Sequence, residues 1–350
     1  MRALCGAVAL LMSFGPAVTG VSAAEIADLK NAGTFVGICE PSGVVAYPPG
    51  TVDQFFIVGN DEDNILRTYR VSDGLNASPD SVPKTDMNEF LELNAKDEDD
   101  KVDIEGATYL DGRALWLGSH SRSRKGHKRP SRWRLFSTRI EVKNGIPSAV
   151  PEQKAVTDAL LQAFTALPLI TDSISIKTKT APKLAAKQQG GFNIEGLTIG
   201  DDGSSIWIGL RSPLTDKGEA IVVHVRNPNR VLAGGKADLD PSPVPLDLVM
   251  LGIRSIEYSP AAKTYLILAG ASGDDAKTPI FELYTWDGQR DSKPVRVEGL
   301  RERLTAAGLQ NFQPEAMVVD DAGKRLLILS DDGGRCPANK AFRGALVTLR

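Results

Sequence analysis

Short runs of apolar residues separated by turn signals recur along the chain, and two of them repeat one pattern closely. Residues 103–118 read DIEGATYLDGRALWLG, and residues 193–209 read NIEGLTIGDDGSSIWIG. Each copy contains Ile-Glu-Gly, a short strand pattern, an Asp-Gly turn, and a second strand pattern with Trp and Gly. This pattern predicts a β-hairpin, and its repetition predicts a fold built from equivalent sheets.

Three weaker copies extend the repeat, at residues 38–59, 255–270 and 313–330. Each of the five copies has one glutamate near the beginning of its first strand pattern. These are Glu40, Glu105, Glu195, Glu257 and Glu315. Third strand patterns follow at 65–71, 134–142, 220–226, 280–286 and 344–349. Residues 245–250 and 294–298 are candidate fourth strands. Four-stranded sheets repeated around an axis are the blades of a β-propeller.

The fold predicted from these repeats is all-β, a single closed propeller with five blades or, alternatively, six. A strand over 34–39 is expected to complete the last blade, because closure of the ring removes exposed sheet edges. Apolar residues recur at helical spacing near 151–167, with Pro151 in the first helical turn, and predict a small helical insertion. A second short helix is predicted over 301–307.

The first 24 residues have the pattern of a signal peptide. Arg2 precedes an apolar stretch, and small residues follow at 21–24. The apolar stretch is shorter than the ~20 residues that span a bilayer. We therefore expect a periplasmic or secreted protein whose residues 25–350 form the propeller, without a transmembrane segment after cleavage.

Charge and cysteine content narrow the possibilities further. Removal of Arg2 with the signal leaves 40 basic residues (41 − 1) against 44 acidic ones, which gives no reason to expect nucleic acid as a partner. It also removes Cys5. Cys39 and Cys336 remain, and two cysteines in an oxidising compartment predict a disulfide.

The first strand of each propeller blade lines the central channel, so the five glutamates are predicted to meet near one mouth. The ends of the second strands would lie on the same side. The candidate ligand-binding residues are Glu40, Glu105, Glu195, Glu257, Glu315, His120, Arg122, Arg211, Arg254 and Asp331. Converging carboxylates require cations, metal or protons. Oxygen ligands suit Ca²⁺, with Glu105, Glu195, Glu257 and Glu315 as expected ligands. The alternative is that arginines pair with the glutamates structurally.

Residues 122–134 form a basic segment that contains no acidic residue. One interpretation is a solvated loop that pairs with the acidic residues at 97–100. The other is an anion site for phosphate, carboxylate or anionic envelope material.

Six motifs carry a family resemblance: DIEGATYLDGRALWLGSHSRS (103–123), FNIEGLTI (192–199), IGLRSPL (208–214), GIRSIEYSPA (252–261), PEAMVV (314–319) and LSDDGG (329–334). They resemble the domain of unknown function 3616, a bacterial β-propeller family. The resemblance implies the fold and brings no established activity. The first functional hypothesis is an exported propeller that binds a small-molecule, anionic or metal-bridged ligand. The second is a Ca²⁺-dependent hydrolase of phosphoesters or lactones, by analogy with phytase-like and lactonase-like propellers. A third is a structural envelope protein that docks through the basic segment.

Overall fold

The computed structural model describes residues 24–74, 82–97, 100–155, 158–174, 190–273 and 280–350. The predicted signal peptide, apart from Ala24, lies outside the described residues. Within them, the strands form five four-stranded antiparallel sheets.

The five sheets follow one another along the chain as blades. Blade 1 contains β2 (Pro41–Tyr47), β3 (Phe55–Asn60), β4 (Ile65–Arg70) and β5 (Lys84–Asp86). Blade 2 contains β6 (Ile104–Leu110), β7 (Arg113–Gly118), β8 (Leu135–Lys143) and β9 (Ile146–Ala155). Blade 3 contains β10 (Asn193–Ile199), β11 (Ile206–Ser212), β12 (Ala220–Val225) and β13 (Val244–Leu246). Blade 4 contains β14 (Leu251–Ser259), β15 (Thr264–Ala271), β16 (Glu282–Trp286) and β17 (Val295–Val297). Blade 5 contains β18 (Pro314–Val319), β19 (Arg325–Ser330), β20 (Ala341–Leu349) and, as its outer strand, β1 (Ile26–Val36).

The innermost strands β2, β6, β10, β14 and β18 contact one another in that order, and β18 contacts β2. The blades therefore form a closed ring, which confirms the prediction of a five-bladed propeller. Apolar clusters fill the spaces between neighbouring blades, as expected when each sheet buries both faces.

The N-terminal strand completes the last blade, as predicted. β1 pairs with β20 from Ile26 opposite Leu349 to Val36 opposite Ala341. The strand begins earlier than predicted, at Ile26. It also ends earlier, because the chain leaves the sheet at Gly37, which has a φ of 114°. Four aromatic rings fill the seam between blades 5 and 1, namely those of Phe35, Phe56, Tyr69 and Phe342.

A disulfide between Cys39 and Cys336 links the same two blades and confirms the predicted pairing. The Cα atoms are 5.5 Å apart, and 297 positions separate the cysteines along the chain. The bond is compatible with the expected periplasmic or secreted location.

Short helices connect the strands: α1 (Asn88–Leu91), α2 (Ala159–Phe164), α3 (Pro168–Ile174), α4 (Pro228–Leu232) and α5 (Leu300–Ala306). The prediction of Pro151 in a first helical turn is wrong, because β9 continues to Ala155. Pro151 lies on β9, the outer strand of the blade, which has a neighbouring strand on one side only. Proline, which has no N–H to donate, is tolerated in such edge strands. The insertion itself is helical from Ala159, and its apolar residues pack on blades 2 and 3. The predicted helix near 301–307 is confirmed as α5. In the part of the chain that the structure describes, no helix is long and apolar enough to cross a membrane.

Candidate functional site

The Ile-Glu-Gly motif forms a β-bulge at the beginning of the innermost strand. In blade 2, Ile104 pairs with Gly118 and Gly106 with Leu117, so that Glu105 is an extra, unpaired residue. A bulge turns a side chain away from the regular alternation of the strand. The glutamate is followed by glycine because the neighbouring blade lies too close for a larger residue. A Cβ atom on Gly106 would lie 2.7 Å from the Cβ of Leu197. The motif therefore presents a carboxylate while it lets two blades approach.

The same bulge recurs at Glu195 in blade 3 and at Glu315 in blade 5. In blade 4, Ile253 pairs with Ala269 and Ser255 with Leu268, which puts Arg254 at the bulge. The equivalent position of the propeller thus carries glutamate in three blades and arginine in a fourth.

The prediction that all five glutamates are equivalent is wrong for two of them. β14 begins at Leu251, so Glu257 lies three residues beyond the bulge and further along the channel, opposite Leu266. In blade 1 the irregular pairing falls between Pro41 and Val44, and Glu40 precedes the strand. The Ile-Glu sequence of blade 4 matches the motif, but its glutamate is a regularly paired residue of the strand and does not lie at the bulge.

The three bulge glutamates converge at the channel mouth. Carboxylate oxygens of Glu105, Glu195 and Glu315 all lie within 4.8 Å of one another, and all three side chains are buried. The site is formed by residues that are far apart in sequence but occupy the same place on neighbouring innermost strands.

Two arginines offset part of this negative charge. Nη1 of Arg211 lies 2.9 Å from Oε1 of Glu195, and Nη1 of Arg254 lies 3.1 Å from Oε2 of Glu195. Arg254 also donates a hydrogen bond to Glu315. Glu105 has neither a hydrogen bond nor an ion pair within the described residues. The cluster therefore contains three carboxyl groups and two guanidinium groups, and the arginines lie on the side of blades 3 and 4.

Further acidic residues surround the opposite side of the mouth, on blades 1, 2 and 5. Asp61 follows β3, Asp103 precedes β6 and Asp331 follows β19. Asp103 pairs with Arg132 at 2.8 Å, and Oδ1 of Asp331 accepts a hydrogen bond from the N–H of Gly333. Most of the carboxyl groups of the mouth thus lie on blades 1, 2 and 5, where Arg132 pairs with Asp103, whereas Arg211 and Arg254 lie on blades 3 and 4.

Burial and mutual repulsion raise the pKa values of these acids. Burial, followed by the charge of Glu195, raises the pKa of Glu105 well above its ordinary value. Burial and nearby carboxylates raise the pKa of Glu315 to about 8, against the lowering effect of Arg254. Burial and a hydrogen bond with Glu40 raise the pKa of Asp61 well above its ordinary range. Each group would be ionised more readily if a cation were nearby.

Three buried acceptor oxygens at this end of the channel have no hydrogen-bond donor among the described residues. They are Oδ1 of Asp61, Oδ1 of Asn193 and Oε2 of Glu195; the last has only the ion pair with Arg254, whose own Nε has no acceptor among the described residues. The amide nitrogen of Asn193 donates to Oε1 of Glu195, so its oxygen is left over. Buried oxygens of this kind are normally satisfied by protein, by water or by a bound ion.

The other predicted site residues lie outside the three-carboxylate cluster. Glu257 lines a narrow cavity in the channel together with Glu105 and Glu195, and burial alone raises its pKa. Glu40 lies at the seam against Gly333 and shares a hydrogen bond with Asp61 beside the mouth. His120 and Arg122 line a separate pocket next to the basic segment. Arg132, which the sequence analysis did not select, is the basic residue that pairs with Asp103. The only sequence signal for Arg132 was its place in a segment with seven basic residues, and that signal does not show which of the seven pairs with an acid.

Fold and site together define a five-bladed β-propeller with an acidic channel mouth. The family described as protein of unknown function (DUF3616) matches residues 50–142 and 138–338, and the chain belongs to this family. No curated protein matches it. Among solved structures, a luciferin-regenerating enzyme is similar at 11% identity with a TM-score of 0.39. That alignment covers 91% of this chain and 94% of the other.

Proposed function

We propose that this propeller binds a divalent cation, Ca²⁺, at its channel mouth, and holds a small anionic ligand through that ion. The observation that supports it best is the excess of buried carboxyl groups over guanidinium groups. Glu105, Glu195 and Glu315 bring carboxylates within 4.8 Å of one another, and two arginines cannot neutralise all three.

The donor set favours a hard cation. All of the candidate ligand atoms are carboxylate or amide oxygens, which Ca²⁺ and Mg²⁺ prefer, and the group contains no thiolate or imidazole. Glu105 and Glu315 are the expected direct ligands. Glu195 is already held by two arginines, so we expect it to orient the site. Glu257, which lies further along the channel, is not needed for this proposal.

The polarity of the mouth supports the second half of the proposal. A cation held by the carboxyl groups would lie beside the arginines of blades 3 and 4. A small ligand with a carboxylate or phosphate could then contact the metal and approach Arg211 or Arg254. Oxyanions that bridge a metal and a guanidinium group make charge-assisted bonds to both.

The test is calorimetric titration of Ca²⁺ into protein that has been stripped of metal by a chelator. Wild-type protein should bind one ion. Glu105→Gln should abolish binding, because it removes a carboxylate while keeping the side-chain shape. Glu302→Gln, an exposed change on α5, is the matched control and should bind as the wild type does. Equal binding by Glu105→Gln and wild type would refute the proposal.

A hydrolase that uses the same ion is the second candidate. The specific observation is Asp61, a carboxyl group with a raised pKa beside the mouth whose Oδ1 has no donor among the described residues. A base next to an activated metal is what hydrolysis of a phosphoester or lactone requires. Ca²⁺-dependent turnover of such substrates that is lost in Asp61→Asn, with Ca²⁺ affinity retained, would favour this candidate over binding alone.

A further inference from the structure

A loop on the mouth face, the face of the propeller on which the channel mouth lies, presents two apolar side chains to solvent. Val249 is 70% exposed and Met250 is 64% exposed. The innermost strands begin at the mouth, and β14 begins at Leu251, so the loop that precedes it lies on this face. Met250 lies against the loop between β11 and β12, because a Cβ atom on Gly218 would overlap its sulfur. Two apolar side chains therefore project from the rim of the mouth at blades 3 and 4.

The backbone of this loop has a conformation that its residues disfavour. The φ angles of Val249 and Met250 are 56° and 64°, and for a β-branched residue such as valine this left-handed region is a genuine outlier. The loop is tied down on both sides. Oδ1 of Asp247 accepts a hydrogen bond from the N–H of Val249, and the hydroxyl of Tyr284 donates to the carbonyl of Leu248. Enforced conformations of this kind cluster at binding and switch regions, which indicates a function for the exposed pair.

The other exposed apolar residues divide between the two faces of the propeller. Leu169 lies in α3, which connects blade 2 to the beginning of β10, and Ile280 precedes β16, which begins at the mouth. Both therefore lie on the mouth face. Val142 and Ile146 lie at the end of the β8–β9 hairpin, on the opposite face. Four of the six large apolar residues that are exposed in the described part of the chain thus lie on the mouth face, on three separate connections.

Exposed cations lie on the same side of the mouth face. The connections 122–134, 213–219 and 247–250 all join strands at the mouth, in blades 2 to 4. Their exposed charged residues are the cations Arg124, Lys125, Lys128 and Lys217 and the acids Asp216 and Asp247. None of the four cations forms an ion pair within the described residues. This part of the surface therefore combines apolar side chains with an excess of positive charge.

From this arrangement we propose that the mouth face of blades 2 to 4 docks on an anionic lipid bilayer. Val249 and Met250 enter the headgroup region, and the four cations lie at the level of the lipid phosphates. A lipid surface fits better than a protein partner, because a protein interface buries a contiguous patch of about 800 Å² on each side. Lipids instead fill the spaces between separate apolar points. The docking needs no cation at the channel mouth, so it is independent of the proposed function.

The experiment is co-sedimentation with vesicles of phosphatidylcholine, or of equal parts phosphatidylcholine and phosphatidylglycerol, in the presence of chelator. The protein is the chain from residue 25 onward, which contains all five blades and lacks the N-terminal apolar stretch that could itself bind lipid. We expect it to bind the anionic vesicles at least about tenfold more tightly than the neutral ones, and to lose this preference at molar salt. Failure to sediment with anionic vesicles at millimolar lipid would overturn the proposal, as would equal binding to both kinds of vesicle.

A double variant locates the docking surface. Val249→Asn together with Met250→Asn removes both apolar side chains, and asparagine tolerates positive φ, so the variant should fold. We expect its affinity for anionic vesicles to fall about tenfold or more. The matched control is Val142→Asn together with Ile146→Asn, which makes the same exchange on the opposite face and should bind as the wild type does. Equal affinity of the first double variant and the wild type would contradict the proposal.

The electrostatic part is tested separately. Lys125→Gln should weaken binding to anionic vesicles about fivefold and leave binding to neutral vesicles unchanged. Lys324→Gln removes an exposed charge from the turn between β18 and β19, on the opposite face, and should change neither. Equal losses in the two lysine variants would overturn the assignment to this face. A dimer seen by sedimentation velocity without lipid, and lost when Val249 and Met250 are replaced, would assign the apolar pair to a second copy of the chain and also overturn it.

Discussion

Replacement of Glu105 by glutamine should stabilise the metal-free protein, although it alters a buried residue of the repeated motif. Glu105 lies within 4.8 Å of two other carboxylates and has no ion pair within the described residues. At that separation, one pair of like charges repels by about 3 kcal/mol at an effective dielectric constant of 20. Protonation of Glu105 sets an upper limit to this repulsion. At pH 7, protonating a carboxyl group with an ordinary pKa of 4.5 requires about 3 kcal/mol of free energy.

The arginines offset part of this repulsion, so we expect Glu105→Gln to raise the free energy of unfolding by about 1–3 kcal/mol at pH 7. The gain should shrink to less than about 1 kcal/mol at pH 5, where protonation is nearly free. Urea denaturation in the presence of chelator measures both values. With Ca²⁺ at a thousandfold excess over Kd the order should reverse, because only the wild type gains stability from the ion, about 4.1 kcal/mol. A metal-free variant less stable than wild type by more than about 1 kcal/mol would refute the reasoning.

Three further predictions concern the same region. Because the pKa of Glu315 is raised in the folded protein, folding takes up protons, and metal-free stability should fall as pH rises from about 4.5 to about 8. Ca²⁺ should flatten this slope in denaturation curves, and a flat profile without metal would contradict the pKa shift. Arg254→Met should cost about 3–5 kcal/mol in the same assay, since it leaves the buried Glu315 without its arginine and Glu195 with Arg211 alone, whereas a loss below about 1 kcal/mol would show that the ion pairs of Arg254 are dispensable. Reduction of the Cys39–Cys336 bond should lower stability by up to about 5 kcal/mol, because it releases a loop of 297 positions; alkylation of both thiols in unreduced protein, read by intact mass, would exclude the bond.

Much of the fold could be predicted from the sequence because its signals are local and repeated. Asp111-Gly112 has positive φ at both residues, 51° and 76°, as a two-residue hairpin turn requires, and the strands on either side follow directly. The closing role of the N-terminal strand followed from the topology of a ring. Pro151 was misplaced because apolar spacing over a few residues fits either an outer strand or a helix.

The site could be predicted less well because it depends on register. Glu105, Glu195 and Glu315 were identified correctly as convergent, since the motif and the bulge coincide in those blades. Glu257 was grouped with them by its letters, although the equivalent residue is Arg254, three positions earlier. A shift of a few residues along a strand moves a side chain several ångströms along the channel, and no local sequence signal fixes that register.

Anomalous diffraction from a crystal soaked in Mn²⁺, followed by displacement with Ca²⁺, would test the central claim most directly. The proposal predicts a single strong anomalous peak at the channel mouth, about 2.1–2.6 Å from carboxylate oxygens of Glu105 and Glu315, which disappears when Ca²⁺ replaces Mn²⁺. The glutamates should keep their positions, and Arg254 should remain paired with Glu195. A well-resolved map without a peak at the mouth, with an arginine or ordered water between the three carboxylates instead, would contradict the claim and leave the cluster as a structural ion-pair network.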